Sequence, residues 1–170
     1  MGSVTIRRGP STNIEKALRD LKPESVKIGW FPSARYDDEK RTSVASVAAQ
    51  NEYGNPNKNI PARPFLRPAI AHNSKKWMDI GKRGVKAVLA GKSTVDAVLD
   101  NIGVSAVGDI QHSISQVYSP SLKPSTIQAR LARRTTSGRL NKTQARSITK
   151  PLVDTGYMQA TVSYELSSER

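Results

Sequence analysis

The chain has 170 residues and a formal net charge of +13, from 27 Lys and Arg against 14 Asp and Glu. It has no cysteine, which excludes disulfides, thiol nucleophiles and cysteine-based zinc sites. The length allows one domain with a real core, but only 36% of residues are hydrophobic and only two Phe, two Trp and five Tyr are aromatic. Such a thin core implies that part of the chain is extended or orders against a partner. No stretch approaches the ~18 apolar residues of a membrane span, and no apolar run follows Met1 as in a signal peptide. Residues 1–170 therefore read as a single domain made in the cytoplasm, with no membrane partner.

In chain order, SVTIRR (3–8) alternates apolar and polar side chains and predicts a short strand. In PSTNIEKALRDL (10–21), Ser11 or Thr12 is placed to cap a helix with Ile14, Ala17, Leu18 and Leu21 on its apolar face, and Pro23 ends it. SVKIGWF (25–31) predicts a strand with Val26, Ile28 and Trp30 on one face. PSARYDDEKR (32–41) is a charged loop, and TSVASVAAQNEYG (42–54) a short helix closed by Gly54 in a left-handed cap. The four prolines within residues 55–68 exclude a helix interior or a central strand there. They predict an extended basic arm that carries Phe65 and Leu66 between Arg63 and Arg67.

Pro68 suits the first turn of a long helix, which runs through Trp77, Ile80, Val85, Val88 and Leu89 although Gly81 and Gly84 weaken it. After AGKSTVD, residues Val95, Leu99, Ile102, Ala106, Ile110, Ile114 and Val117 recur at steps of three and four, the apolar face of a second long helix. SPSLKPS (119–125) breaks it. STIQARLARR (125–134) predicts a short basic helix capped by Ser125, and residues 135–150 have no periodicity and read as a mobile basic loop. A turn at Asp154, Thr155 and Gly156 precedes a last strand in which Val162 and Tyr164 alternate with Ser163 and Glu165. Strands at the two ends with helices between imply an α+β fold. Its sheet is small, mixed or antiparallel, built from the terminal strands and packed on the long central helices.

Convergent chemistry is hard to find. His72 and His112 fall in predicted helices at spacings that match no metal site or triad. AGKS (90–93) has the end of a phosphate-binding loop, but Lys86 stands where that loop needs its first glycine. A helix start explains it better, with Ser93 as N-cap and Asp96 reaching back. Asp37, Asp38 and Glu39 repel one another and precede Lys40 and Arg41, so a solvated loop is the reading rather than a cation site. Asp154 reads as the cap of a turn, accepting backbone N–H groups. Neither a cofactor nor an enzymatic activity is expected.

Charge is the strongest feature. From Ser121 to Lys150 there are eight basic residues and no acidic one, so this stretch holds +8 of the +13. Lys123, Arg130, Arg133, Arg134 and Arg139 are its candidate partner-binding patch. A basic block meets nucleic acid, an acidic protein face or water. No aromatic residue interleaves it for base stacking, so charge alone supports only salt-sensitive phosphate contact.

Three stretches carry a resemblance. AAQNEYGNPNKNIPARPFLRPAI (48–70), SPSLKPSTIQARLARR (119–134) and KPLVDTGYMQATVSYEL (150–166) are similar, in the same order and near the same spacing, to segments of tailed-phage morphogenesis proteins. These are the tail-completion or neck proteins of siphophages and the virion morphogenesis protein of Mu-like phages, relatives of the lambda-type minor tail protein Z. The resemblance covers under half the chain. It implies a non-enzymatic virion subunit, assembled in the host cytoplasm into a hexameric or dodecameric ring at the head–tail junction. Its neighbours would be neck, connector, tail-tube or sheath proteins, with passing genomic DNA touched only non-specifically. Here the residues 135–150 are longer and more basic than the family pattern.

A proline-stiffened arm loses little entropy when it docks. Phe65 and Leu66 can then fill a neighbour's pocket while Arg63 and Arg67 pair around it, or they can pack in the chain's own core. The alternative to the ring subunit is a basic nucleic-acid-binding protein acting through residues 121–150.

Overall fold

The strands predicted near the two ends pair with each other. In the computed structural model, which describes residues 24–136 and 147–168, β1 (Glu24–Gly29) runs antiparallel to β2 (Ser163–Ser168), in register from Glu24 opposite Ser168 to Gly29 opposite Ser163. The fold is α+β, and among the described residues it has five α-helices and this two-stranded sheet. The expected strand over 3–8 and helix over 10–21 lie outside the described residues, as does Arg139.

In chain order four of these helices follow β1, and a fifth leads into β2. They are α1 (Val44–Tyr53), α2 (Leu66–Leu89), α3 (Val95–Ser115), α4 (Pro124–Thr136) and α5 (Tyr157–Ala160). Strand β1 keeps the predicted alternation: Val26 and Ile28 are partly buried, Ser25 and Lys27 exposed. Helix α3 lies across the ribbon, and the contact is close. A Cβ on Gly103 would sit 2.4 Å from the Tyr164 ring. The opposite side of α3 packs antiparallel on α2, where a Cβ on Gly84 would sit 2.3 Å from Val98. The glycines expected to weaken α2 are thus points of close helix approach. Lys76 and the Trp77 ring N–H both reach Asp109 at 2.8 Å and fix the register of the pair.

The core forms where α1, the start of α2, the end of α3 and the 152–162 segment meet. Val44, Phe65, Ile110, Ile114, Leu152, Met158 and Val162 are buried in it, and Ile28, Trp30 and Val117 pack against it. Trp30 meets Phe65 edge-on at 5.8 Å and donates its ring N–H to the Met158 carbonyl at 2.8 Å. Burial of an aromatic ring of this size stabilises the fold by about 2–3 kcal/mol.

Several local expectations are corrected. The cap of α3 is Thr94, whose hydroxyl accepts the Ala97 N–H, so Ser93 and Asp96 form no capping box. Pro124 opens α4 at its first position, where a proline costs no hydrogen bond, and Ser125 lies inside the first turn. Gly54 closes α1 with a positive φ of 78°, but its ψ of 167° lies outside the left-handed helical region, so the expected left-handed cap is not formed; a Cβ there would lie 2.9 Å from the Ala62 nitrogen. The 55–68 arm is neither free nor fully extended. Asn55 and Ile60 form a bridge around a 3-10 turn at Pro56–Lys58, and α2 has already begun at Leu66.

Candidate functional site

Helix α1 delivers Glu52 into the interior, where it is 2% exposed. Its carboxylate accepts the N–H groups of Phe65 and Leu66 at 2.7 and 2.8 Å, and that of Arg67 at 3.2 Å. These belong to the first turn of α2, whose N–H groups have no partner within the helix. A side chain thirteen residues upstream supplies both the acceptor and the negative charge that a helix start favours. Arg67 closes the arrangement, with its Nε 2.8 Å from Glu52 and its guanidinium over the Tyr53 ring. Burial is the largest single influence on the Glu52 carboxyl and raises its pKa. The hydrogen bonds from the Arg67 side chain and from the three N–H groups together outweigh it and hold the pKa below the ordinary value.

The coil that follows Gly54 carries Arg63 inward, to 6% exposure. Its N–H is donated to the Asn51 carbonyl at 2.7 Å. Its side chain donates to the carbonyls of Pro120 and Ser121 at 2.7 and 3.1 Å. Arg130 does the same one layer on, donating to the carbonyls of Ile148, Lys150 and Pro151 at 3.2, 2.7 and 3.1 Å. A fixed fork of donors suits this work, because irregular backbone in a protein interior leaves carbonyls that need partners. Burial lowers the pKa of both arginines. For Arg130, Asp154 opposes that shift while Arg133, Arg134 and Arg63 add to it.

Asp154 gathers the cations. Arg133 and Arg134 bind its carboxylate at 2.8 and 3.2 Å, and the Arg130 Nε stands 3.5 Å away. Arg134 also donates to the Asp154 carbonyl and to the Ser147 hydroxyl. The turn after it has Gly156 at φ 78°, and the Thr155 hydroxyl accepts the Tyr157 N–H at 3.3 Å.

Arg63, Arg130 and the Asp154 turn line a cleft of about 700 Å³. Its walls carry Lys58, Arg63, Lys123, Arg130 and Arg133 against the two carboxylates Asp38 and Asp154. Tyr36 and Tyr157 meet on its floor, with ring centroids 5.4 Å apart. Burial first, then Tyr157 and Asp154, push the Tyr36 phenol up. No histidine lines the cleft, and among the described residues no three His, Cys, Asp or Glu are grouped to hold a metal ion. The arrangement can receive an anionic, partly apolar group.

The structure redistributes the residues singled out in the sequence. Of the two places open to Phe65, a neighbour's pocket or the chain's own core, the structure has it in the core at 1% exposure, and Arg63 is buried as well. Leu66 is half-buried against that core, and only Arg67 of the four is exposed, on Glu52. The expected basic row is likewise split. Arg130 is 7% exposed and Arg134 half-buried, both turned to residues 147–154, while Lys123 and Arg133 are exposed. Most of the loop expected over 135–150 lies outside the described residues. Its end is anchored: Ile148 is buried and its carbonyl accepts from Arg130. Asp154 caps no N–H in this turn; it takes the arginines. The Asp38 carboxylate is also partnered, by the Thr42 N–H and hydroxyl at 2.7 and 2.6 Å.

Glu52 and the Tyr36–Tyr157 pair had no sequence signal, because their partners lie on other elements. A buried acid is legible only as a Glu on the otherwise apolar or small-residue face of α1, beside Val44 and Ala48.

No helix of the described residues is long and apolar enough to cross a membrane. Comparisons with protein-family models, with curated proteins and with solved structures find no match to this chain.

Proposed function

We propose that the chain is a structural subunit of a tailed-phage virion, without enzymatic activity, which forms a ring at the head–tail junction. The basic cleft is its docking face for an acidic segment of a neck, connector or tail protein. One observation supports this reading above the others. The three stretches that resemble phage morphogenesis proteins fold onto one another through their own motif residues. Glu52 holds the start of α2, Arg63 holds the 120–121 carbonyls, and Arg130 holds the 148–151 carbonyls. Arg63, Arg130 and other residues of all three stretches line a single cleft, while Glu52 orders the start of α2 outside that lining.

The second reading, a nucleic-acid-binding protein, draws on the same charges and loses two of them. Arg130 and Arg134 are engaged with backbone carbonyls and Asp154, so they are poorly placed for phosphate. Binding of duplex DNA is therefore weak and independent of sequence, with Kd about 10⁻⁴–10⁻⁶ M at physiological salt. Fluorescence anisotropy with labelled duplexes measures it, and nanomolar, sequence-selective binding would promote the nucleic-acid reading. The test of the junction reading is inactivation of the gene in its phage. Electron microscopy then shows filled heads and tails that have not joined. Complete infectious particles in normal numbers would refute it.

A further inference from the structure

We infer that the chain pairs head to tail with a second copy of itself, the outer side of α3 in one copy meeting the exposed flank of α2 in the next. The inference deepens the ring reading above and rests on it only for closure; the two faces themselves are properties of the fold.

The helices of the central hairpin carry opposite charge. Helix α2 has six Lys or Arg and a single acid, Asp79, whereas α3 has three Asp and no Lys or Arg. One of those Asp, Asp109, is used inside the hairpin by Lys76 and Trp77. The other two, Asp96 and Asp100, are exposed and stand in a row with Val104, which is 62% exposed. The row advances by four residues and so lies along one side of the helix. Val98 and Ile102 face α2, at Gly84 and Gly81. Asp100 is two residues from each, about 200° round the helix, so the acidic row points away from α2. The Asp100 carboxylate accepts the Tyr164 hydroxyl at 3.2 Å and keeps capacity for further donors.

At the same level of the hairpin, α2 exposes Met78 and Val85, 57% and 55% accessible, interleaved with exposed Lys82 and Lys86. On this flank the two apolar side chains alternate with the two lysines along the chain and would be covered together with them by a partner. Among the described residues Lys82 has one ion pair, with Asp79 at 3.9 Å on the surface, which contributes little. Two lysines with two apolar side chains on one flank match two carboxylates with a valine on the other. Neither flank is complementary to itself, because lysine would face lysine or aspartate face aspartate. The contact is therefore between unlike faces, and unlike faces at one level generate a ring when the rotation closes.

Charge exchange tests it. Lys82→Glu with Lys86→Glu, and Asp96→Lys with Asp100→Lys, change only exposed residues, and circular dichroism checks that each variant is folded. Sedimentation velocity on the wild-type chain shows assembly that grows with concentration. Each double variant alone loses association by about tenfold or more, since like charges then face each other. An equimolar mixture of the two regains assembly, because every interface of an alternating array again joins opposite charges. Wild-type association in either variant alone, a mixture that stays monomeric, or a wild-type chain that never associates overturns the pairing. Association unaltered by both variants discards these faces and leaves the junction reading, which is tested on particles, where it stood.

Discussion

The Glu52 carboxylate receives the backbone N–H of Phe65 at 2.7 Å, across thirteen residues of chain. That contact fixes where α2 begins and, with it, where Phe65 enters the core beside Trp30. A coil containing Pro56, Pro61 and Pro64 cannot supply its own helix cap by local chemistry alone, so the acceptor comes from α1.

Glu52→Ala leaves three N–H groups and the Arg67 guanidinium without their acceptor. Loss of a charged, buried hydrogen-bond acceptor costs about 2–4 kcal/mol. Chemical denaturation of the purified chain measures it, and Glu52→Gln, which keeps an oxygen acceptor but not the charge, falls between the two.

The same carboxylate sets an acid response. Its folded pKa lies below the ordinary Glu value of 4.5. The unfolded chain therefore binds the proton first, and the stabilisation is present above that ordinary value and lost as pH falls through the lower folded one. Asp38 is shifted in the same direction, chiefly by its hydrogen bonds with Thr42, so the wild-type curve contains both. The difference between wild type and Glu52→Gln isolates Glu52: denaturation midpoints of the two converge as pH drops below 4.5. A constant gap down to strong acid contradicts the assignment.

Gly103 and Gly108 lie on the same helix and respond oppositely to alanine. At Gly103 the added Cβ meets the Tyr164 ring at 2.4 Å, whereas at Gly108 nothing lies within 4 Å. Gly103→Ala is destabilising by about 1–3 kcal/mol through overpacking. Gly108→Ala is stabilising by up to about 1 kcal/mol through helix propensity. Thermal unfolding of both variants checks the pair, and equal effects would contradict the packing of α3 on the ribbon.

Arg130 and Arg133, one turn apart on α4, separate in the same way. Arg130→Ala strips donors from the buried Ile148 and Pro151 carbonyls and the half-buried Lys150 carbonyl, which costs about 2–4 kcal/mol. Arg133 is exposed and its ion pair with Asp154 is on the surface, so Arg133→Ala changes stability by less than about 1 kcal/mol. Urea denaturation measures both.

The elements with strong periodicity were legible in the sequence, and the tertiary uses of single polar residues were not. The steps of three and four from Val95 to Val117 give α3, and the alternation around Ile28 and Tyr164 gives both described strands, because burial on one face writes a period into the chain. Phe65 and Leu66 looked like anchors for a neighbour because an aromatic residue between prolines and arginines has no local partner. Their partners are Glu52 and Trp30, and the 120–121 carbonyls take the neighbouring Arg63, each on another element. Arg130 shares a face with Arg133 and with Arg134, as their spacing requires, but the acid that gathers them is Asp154, about twenty residues on, and Arg133 stays exposed. Gly81 and Gly84 read as weak points of α2, since sequence shows the missing side chain and not the neighbour, Ile102 or Val98, that packs there.

The claim that the basic cleft joins this subunit to an acidic neighbour is tested most directly on particles. Lys58 and Lys123 line the cleft, are exposed, and have no ion pair among the described residues. Their reversal to Glu leaves the core untouched. The measurement is a count, by electron microscopy, of joined and unjoined particles from a phage carrying Lys58→Glu and Lys123→Glu, with the variant protein shown to fold in isolation. Filled heads and separate tails in excess over complete virions are the predicted result, and complete infectious virions at the wild-type yield would contradict it.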